Sequence, residues 1–392
     1  MGFWGILDML HSDLDTELSR QYGWIALQIS KTLGSASQRY RETLETNPKL
    51  SSLIESCKDF DPLDARTHKL VDWARRNEVA AVRYILGRHG HSVDINERDR
   101  GKTAIHFATS AQNVEMVWLL LGAGADLRIR DSSGVSQAAT ATRDGCSEIL
   151  DIFIRHDLDA VRATSVGLGI FYGDRSLLMV AAERGHINCV QLILKALPFS
   201  LQLRSEKGDN ALGMACKAHM PVQDPSAVVD VLLKSGIDTR NQNRDGMNAL
   251  HIAADRRLSH AVNSILSSGM AIDVNTQDGI GRTALHYAMG DSTGIAETLI
   301  RVGADPSIRD KEGHTALEVA ILHDQQIAPD DESVRAICRS GKITPDDAAE
   351  ALKIAAQVGR SDFSLYYGNL NLPYAPSSRI LLQFVTMKFS SG

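Results

Sequence analysis

Residues 281–288 read GRTALHYA, with Thr283 three positions ahead of His286. Such a pair could belong to an acid–base or metal site, so the first question is whether His286 stands alone. It does not. GKTAIHFA occupies 101–108, GMNALHIA 246–253 and, less completely, GHTALEVA 313–320. Gly101, Gly134, Gly208, Gly246, Gly281 and Gly313 open comparable units, and several gaps (33, 35 and 32 residues) sit near one value. Within the unit the spacing is tighter still: Thr103 to Gly124, Asn248 to Gly269 and Lys69 to Gly90 each span 21 residues. A constant interval implies one structural unit used many times.

Each unit carries two short apolar patterns at helical spacing. One example is Ile105, Phe107 and Ala108, then Val114, Val117, Leu120 and Leu121, with a polar break at 111–113 between them. The pattern predicts a helix, a turn and a second helix. Thr103, Thr283 and Thr315 stand at the start of the first helix, where a side-chain oxygen can accept a backbone N–H as an N-cap; Asn248 substitutes well there. The second helix stops at glycine, as in GAGAD (122–126), SSGMAID (267–273) and RVGAD (301–305), because glycine takes the left-handed C-cap conformation. A short extended finger rich in turn formers follows, as in LRIRDSSG and PSIRDKEG.

With these stretches in view, the sequence resembles the ankyrin repeat. That family's Gly-x-Thr-Pro-Leu-His opening, paired-alanine first helix and Gly-Ala-Asp exit are matched by GKTAIHFA with GAGAD and by GRTALHYA with RVGAD. ERGHINCVQLIL (183–194) also looks like the family's inter-helix turn and second helix. The resemblance covers roughly residues 66–341. It departs where Ala104, Ala249 and Ala284 replace the proline, where 132–165 keeps the spacing without the signature, and where 207–243 carries about five extra residues near HMPVQDP. The resemblance implies an all-α solenoid of helix-turn-helix units with short hairpin-like fingers, in about eight units: 66–98, 99–131, 132–173, 174–206, 207–243, 244–278, 279–311 and 312–341. Stacked units share one continuous core and need capped ends. Residues 1–65 supply one candidate cap, since Phe3, Leu7, Leu10, Leu14 and Leu18 form a helical stripe. At the other end, Thr344 before Pro345 and two aspartates starts a helix, and a non-repeat tail runs on to Gly392.

Totals narrow the function classes. The chain has 392 residues, 43% apolar and 23% charged, which fits a folded chain and not a disordered one. A net charge of -6 against 42 Lys plus Arg gives no footprint of a nucleic-acid binder. Cys57, Cys146, Cys189, Cys216 and Cys338 are odd in number, scattered and never in a CxxC pair, so a disulfide framework and a zinc knuckle are not indicated, and a reducing compartment fits. The N-terminus lacks a basic n-region and has Ile6 where a myristoylation site wants Ser or Thr, and no run of 18 apolar residues exists. The expectation is a cytoplasmic protein, with the nucleus as the alternative.

Candidate chemistry is sparse. His106, His251 and His286 are imidazoles able to ligate metal or move protons, yet equivalent positions in a stack lie about one repeat apart. The family resemblance implies instead that each ties its finger to the neighbouring one, with Thr103, Asn248, Thr283 and Thr315 as repeat signature. GLGIFYGD (167–174) has the glycine density of a phosphate loop but lacks the lysine and Ser/Thr of a P-loop. No Ser/His/Asp, Cys/His or paired-carboxylate motif recurs. We expect no metal, no cofactor and no catalytic residue.

The resemblance places variable contact positions beside the glycine and after the paired alanines. Here these are Lys102, Glu183, Arg184, Arg244, Met247, Asp255, Arg256, Arg282 and Lys311. Most are cationic or paired charges, so the expectation is a concave groove more basic than the whole, binding a locally acidic protein or peptide as a non-catalytic scaffold. The plain alternative is that these charges only keep the face soluble. A second function class is an enzyme whose pocket is closed by the irregular middle units, residues 164–175 and YYGNLNLPY (366–374). A third possibility is self-association through the N-terminal stripe.

Overall fold

The computed structural model describes residues 70–89, 93–164, 175–218, 225–269, 272–289, 293–323, 332–340, 342 and 344–358. Expectations for the N-terminal stripe, for 167–174 and for 366–374 lie outside the described residues. Those residues contain α-helices, one 3-10 turn and no strand. Helix pairs follow one another in a fixed rhythm. The first three are α1 (Leu70–Arg75) with α2 (Val79–His89), α3 (Ala104–Ser110) with α4 (Val114–Gly122), and α5 (Gln137–Arg143) with α6 (Ser147–His156). A short extra helix, α7 (Leu158–Ala163), follows α6. Next come α8 (Leu177–Glu183) with α9 (Ile187–Ala196), then the 3-10 turn Pro198–Gln202, then α10 (Ala211–Cys216) with α11 (Ser226–Lys234). The last pairs are α12 (Ala249–Asp255) with α13 (Ser259–Ser267), α14 (Ala284–Ala288) with α15 (Ile295–Val302), and α16 (Ala316–His323) with α17 (Glu332–Arg339), before α18 (Pro345–Gln357).

First helices pack on first helices and second helices on second helices along the whole series, so the molecule is two parallel rows of helices. Helix α18 packs on α16 and so extends the row of first helices by one more member. One apolar cluster runs without a break from Leu70 to Ala355. The first helices are nearly all buried and only about two turns long. Leu177 through Ala182 are all buried, as are Ala249 through Ala254, which explains the alanine pairs: rows of helices can approach closely only over small side chains. The second helices bury one face, as Met116, Val117, Leu120 and Leu121 do on α4.

Units 132–173 and 174–206 depart from the rhythm where the Gly-Ala-Asp exit is missing. In its place the chain makes α7 and the 3-10 turn, and Arg162 of the first lies over the Phe199 ring of the second at 5.2 Å. The spacing survives the loss of signature residues because Ser136 and Ser176 still cap α5 and α8, accepting from the Ala139 and Met179 amides. In the turns between paired helices, two side chains reach back to the previous unit. His186 Nε2 donates to the Arg143 carbonyl at 2.9 Å, and Asn113 Nδ2 to Asn77 Oδ1 at 2.7 Å.

Candidate functional site

Among the described residues the fingers carry a recurring hydrogen-bonded polar design that turn-rich composition alone does not disclose. Three residues ahead of the finger glycine stands an Asp or Asn whose Oδ1 accepts two backbone amides, at positions two and four further on. Asp131 takes Ser133 and Val135, Asn243 takes Asp245 and Met247, Asp278 takes Ile280 and Arg282, and Asp310 takes Glu312 and His314, all at 2.8–3.0 Å. Such Asx bonding closes a tight loop without a ladder of strands. Only isolated bridges, Asp99 with Lys102 and Arg309 with Thr315, mark the hairpins among the described residues.

One position earlier is a second device. Gln242, Gln277 and Arg309 each donate to the carbonyl of their own finger glycine, at 2.7, 2.7 and 2.6 Å. Gln242 also donates to the Gln277 carbonyl and Gln277 to the Arg309 carbonyl, while Arg309 Nη2 reaches Asp347 of α18 at 2.5 Å. The result is a ladder linking three successive fingers to the last described helix. Backbone bonds run beside it, from the Arg244 amide to Lys207, from Gly279 to Asp245 and from Lys311 to Ile280, at 2.7–2.9 Å. The signal was present in the sequence as Asp or Asn and then Gln or Arg at fixed distances before glycine, but neither residue type alone stands out from ordinary turn composition.

At the foot of the fingers, Nδ1 of His106 and of His286 accepts the Thr103 or Thr283 backbone amide at 3.1 Å and lies 2.8 or 2.9 Å from the threonine hydroxyl. A ring nitrogen that accepts fixes the neutral tautomer with hydrogen on Nε2. His286 Nε2 then donates to the His314 carbonyl at 3.3 Å, and His251 Nε2 to the Thr276 and Arg282 carbonyls at 3.0 and 3.2 Å, in the next finger. His106 Nε2 is buried with no partner at full hydrogen-bond geometry, although the Val135 backbone of the next finger still acts on the ring. Burial pushes His106 down to about 4 and lowers His251 and His286 as well. In the fourth copy, Glu318 replaces histidine. Its fully buried carboxylate accepts the Thr315 amide at 2.8 Å and an Arg309 bond at 3.1 Å. In the 99–131 and 279–311 units the threonine hydroxyl's closest contact is thus with the imidazole, while the Thr315 hydroxyl accepts the Glu318 amide at 3.4 Å.

The contact positions inferred from the resemblance fall on finger tips and first-helix ends, in different electrostatic states. Arg282 is bound to the buried Asp310 carboxylate at 3.3 Å, and Lys311 Nζ donates to the Gly279 carbonyl at 2.7 Å, so both cations are used between fingers. Glu183 is held by Arg175 at 2.5 Å, and Asp255 lies 3.7 Å from Arg256. Lys102 lies over the Phe107 ring at 5.9 Å, and Met247 packs half-buried on the core. Arg184 and Arg244 are exposed, with no side-chain partner among the described residues. Asp310, Glu312 and His314 offer ligand atoms close together, but Asp310 already accepts two amides and the Arg282 guanidinium. The three free thiols among the described residues, Cys146, Cys189 and Cys216, are all raised by burial, with Cys189 and Cys216 pushed up to about 12, which makes them poor nucleophiles. Among the described residues no helix is long and apolar enough to cross a membrane.

Paired helices in two rows, joined by fingers bonded edge to edge, define a helical-repeat solenoid. The chain belongs to the ankyrin-repeat family, whose model (ankyrin repeats, three copies) matches residues 50–131, 70–164, 178–278 and 219–310. An ankyrin repeat protein of Acanthamoeba polyphaga mimivirus is 24% identical over 258 residues, covering 65% of this chain and 33% of that protein. The nuclear factor NF-kappa-B p105 subunit of Gallus gallus is 26% identical over 244 residues, covering 61% and 20%. The chain thus spans about a third or less of the length of these curated relatives. Among solved structures, an ankyrin repeat domain from Acinetobacter baumannii is 27% identical with a TM-score of 0.44, covering 51% of this chain and 97% of that one. The ankyrin repeat domain of Bcl-3 is 20% identical with a TM-score of 0.39, covering 69% and 97%. Ankyrin repeats are generally protein–protein interaction modules.

Proposed function

We propose that this chain holds a protein or peptide segment across its finger tips and the adjoining ends of its first helices, and that the segment is locally acidic. The observation that carries this is the pair Arg184 and Arg244, exposed and without side-chain partners among the described residues. Arg244 sits on a finger bonded to its neighbours, which forms a ledge, and Arg184 caps the C-terminal end of α8. A rigid ledge lowers the ordering cost of binding, and an unneutralised guanidinium retains its full attraction for a carboxylate. Cations already bound within the fold, such as Arg282, contribute less to a partner.

The test is a pull-down with the intact chain and with the double variant Arg184→Glu/Arg244→Glu. The expected result is an acid-rich partner retained by the former, at least ten-fold weaker on the latter, with thermal unfolding unchanged. Arg282→Glu is unsuitable, because it would strand the buried Asp310 carboxylate and destabilise the finger. A partner held equally by both proteins removes this face from consideration.

A further inference from the structure

Between the finger that leaves α11 and the one that leaves α13 is a recess of about 480 Å³, lined by Thr239, Arg240, Gln242, Asn248, Ile272, Asp273 and Thr276. That volume lies in the range of small-ligand clefts, about 300–1,000 Å³. Its polarity is peculiar to this unit. After the exit aspartate the other fingers place a buried apolar residue: Ile95, Leu127, Val274 and Pro306. Here the position is Thr239, only 5% exposed, and its hydroxyl has no partner among the described residues. At the helix cap, three copies of the octet carry threonine where this one carries Asn248, 3% exposed. Asn248 Oδ1 accepts the Leu250 and His251 amides, which fixes its orientation and turns Nδ2 away from them. The Nδ2 of Asn210, one unit earlier, donates to the Asp238 carbonyl at 2.7 Å; that of Asn248 meets no acceptor among the described residues. Gln242 Nε2 is committed to the Gly246 and Gln277 carbonyls, leaving its Oε1 as an open acceptor.

We infer that this recess binds an uncharged amide, whose carbonyl accepts from Asn248 Nδ2 and Thr239 Oγ1 while its N–H donates to Gln242 Oε1. Both polar groups belong to residues about 95% buried and line the recess, so a ligand there can take the place of water on both. Arg240 and Asp273 carry opposite charges on the lining, so neither an anion nor a cation is favoured outright. The same chemistry could come from a free carboxamide or from an Asn, Gln or backbone amide of a partner.

The experiment uses the full chain, selectively labelled with ¹⁵N-asparagine, with the Asn248 side-chain signals followed by NMR. Propionamide is expected to shift them saturably in the millimolar range and propionate not to. A capped Gly-Gln-Gly peptide binding more tightly than propionamide identifies a partner's amide as the source; equal or weaker binding identifies a small carboxamide. Thr239→Val should weaken binding by about five-fold while leaving the fold at least as stable, because the equivalent residues are apolar. No shift with either amide, equal shifts with propionate, or undiminished binding by Thr239→Val overturns the inference.

Discussion

Asn248→Thr is expected to stabilise the 244–278 unit, against the ordinary ranking of helix caps. Nδ1 of His286 accepts from the Thr283 amide at 3.1 Å and shares that lone pair with the Thr283 hydroxyl at 2.9 Å, while Nε2 donates forward. Every group in that arrangement suits a neutral ring. In the 244–278 unit, His251 Nδ1 accepts the Asn248 amide at 3.2 Å but also lies 2.7 Å from Asn248 Oδ1, which has no hydrogen to give. Rotating the Asn248 amide does not help, because Oδ1 already accepts two backbone N–H groups at 3.0 and 3.1 Å. Moving the ring proton to Nδ1 does not help either, because Nε2 would then face the Thr276 and Arg282 carbonyls without a hydrogen. Each neutral form therefore leaves one pair of acceptors opposed.

Threonine supplies the missing hydrogen. One neutral hydrogen bond is worth about 1 kcal/mol, while capping preference favours asparagine over threonine by a few tenths. The Asn248 backbone is extended, with φ −96° and ψ 178°, close to the −91° and 169° of Thr283, so the exchange adds no strain. The net expectation is a gain of about 0.5–1 kcal/mol for Asn248→Thr and a loss of similar size for Thr283→Asn. Urea unfolding gives the totals, and amide exchange of 249–255 against 284–288 localises them. The pKa of His251 should also fall in Asn248→Thr, since an opposed oxygen favours the charged ring and a donating hydroxyl the neutral one. A loss of stability in Asn248→Thr would refute this account of the octet and leave capping preference as the governing effect.

Three further outcomes follow from the same geometry. Gly281→Ala should cost about 2–4 kcal/mol, because φ is +84° and a Cβ would stand 2.8 Å from the Lys311 amide nitrogen of the next finger; chemical denaturation measures it, and a change below 0.5 kcal/mol would show that the fingers yield. Arg309→Ala should cost about 3 kcal/mol by leaving the buried Glu318 carboxylate uncompensated, and should speed amide exchange in α18 through loss of the Asp347 bond; unaltered exchange there would show that α18 is held by its apolar face alone. Acid should weaken the fold through His106, which burial pushes from the ordinary 6.5 down to about 4, so the unfolded chain takes up the proton first. This contribution is complete above pH 6.5 and is lost as pH falls towards 4, by about 3 kcal/mol. Imidazole NMR of the folded chain checks it, and a His106 titration near 6.5 would contradict it.

How far the sequence discloses this molecule depends on whether a residue acts locally. The caps and helix lengths are local, set by Thr283, Ser176 or Gly124 and their immediate neighbours, so the repeat and its helical rows are legible from spacing alone. The state of a side chain on the ledge is not local. Arg282 stands one residue after its finger glycine and Arg244 two residues before its own, and both read as open cations. Arg282 is nevertheless neutralised by Asp310 across the neighbouring finger, 28 residues on, whereas the next finger presents no carboxylate to Arg244. The recess shows the same limit. Thr239 and Asn248 are unremarkable singly, and only the finger carrying Asp273 and Thr276 turns their unpaired groups into a common lining. In a stack of near-identical units the departures that matter are those in which two consecutive units change together. Such coupled changes lie about one repeat apart along the chain and within one layer in space, which is why folding is needed to see them.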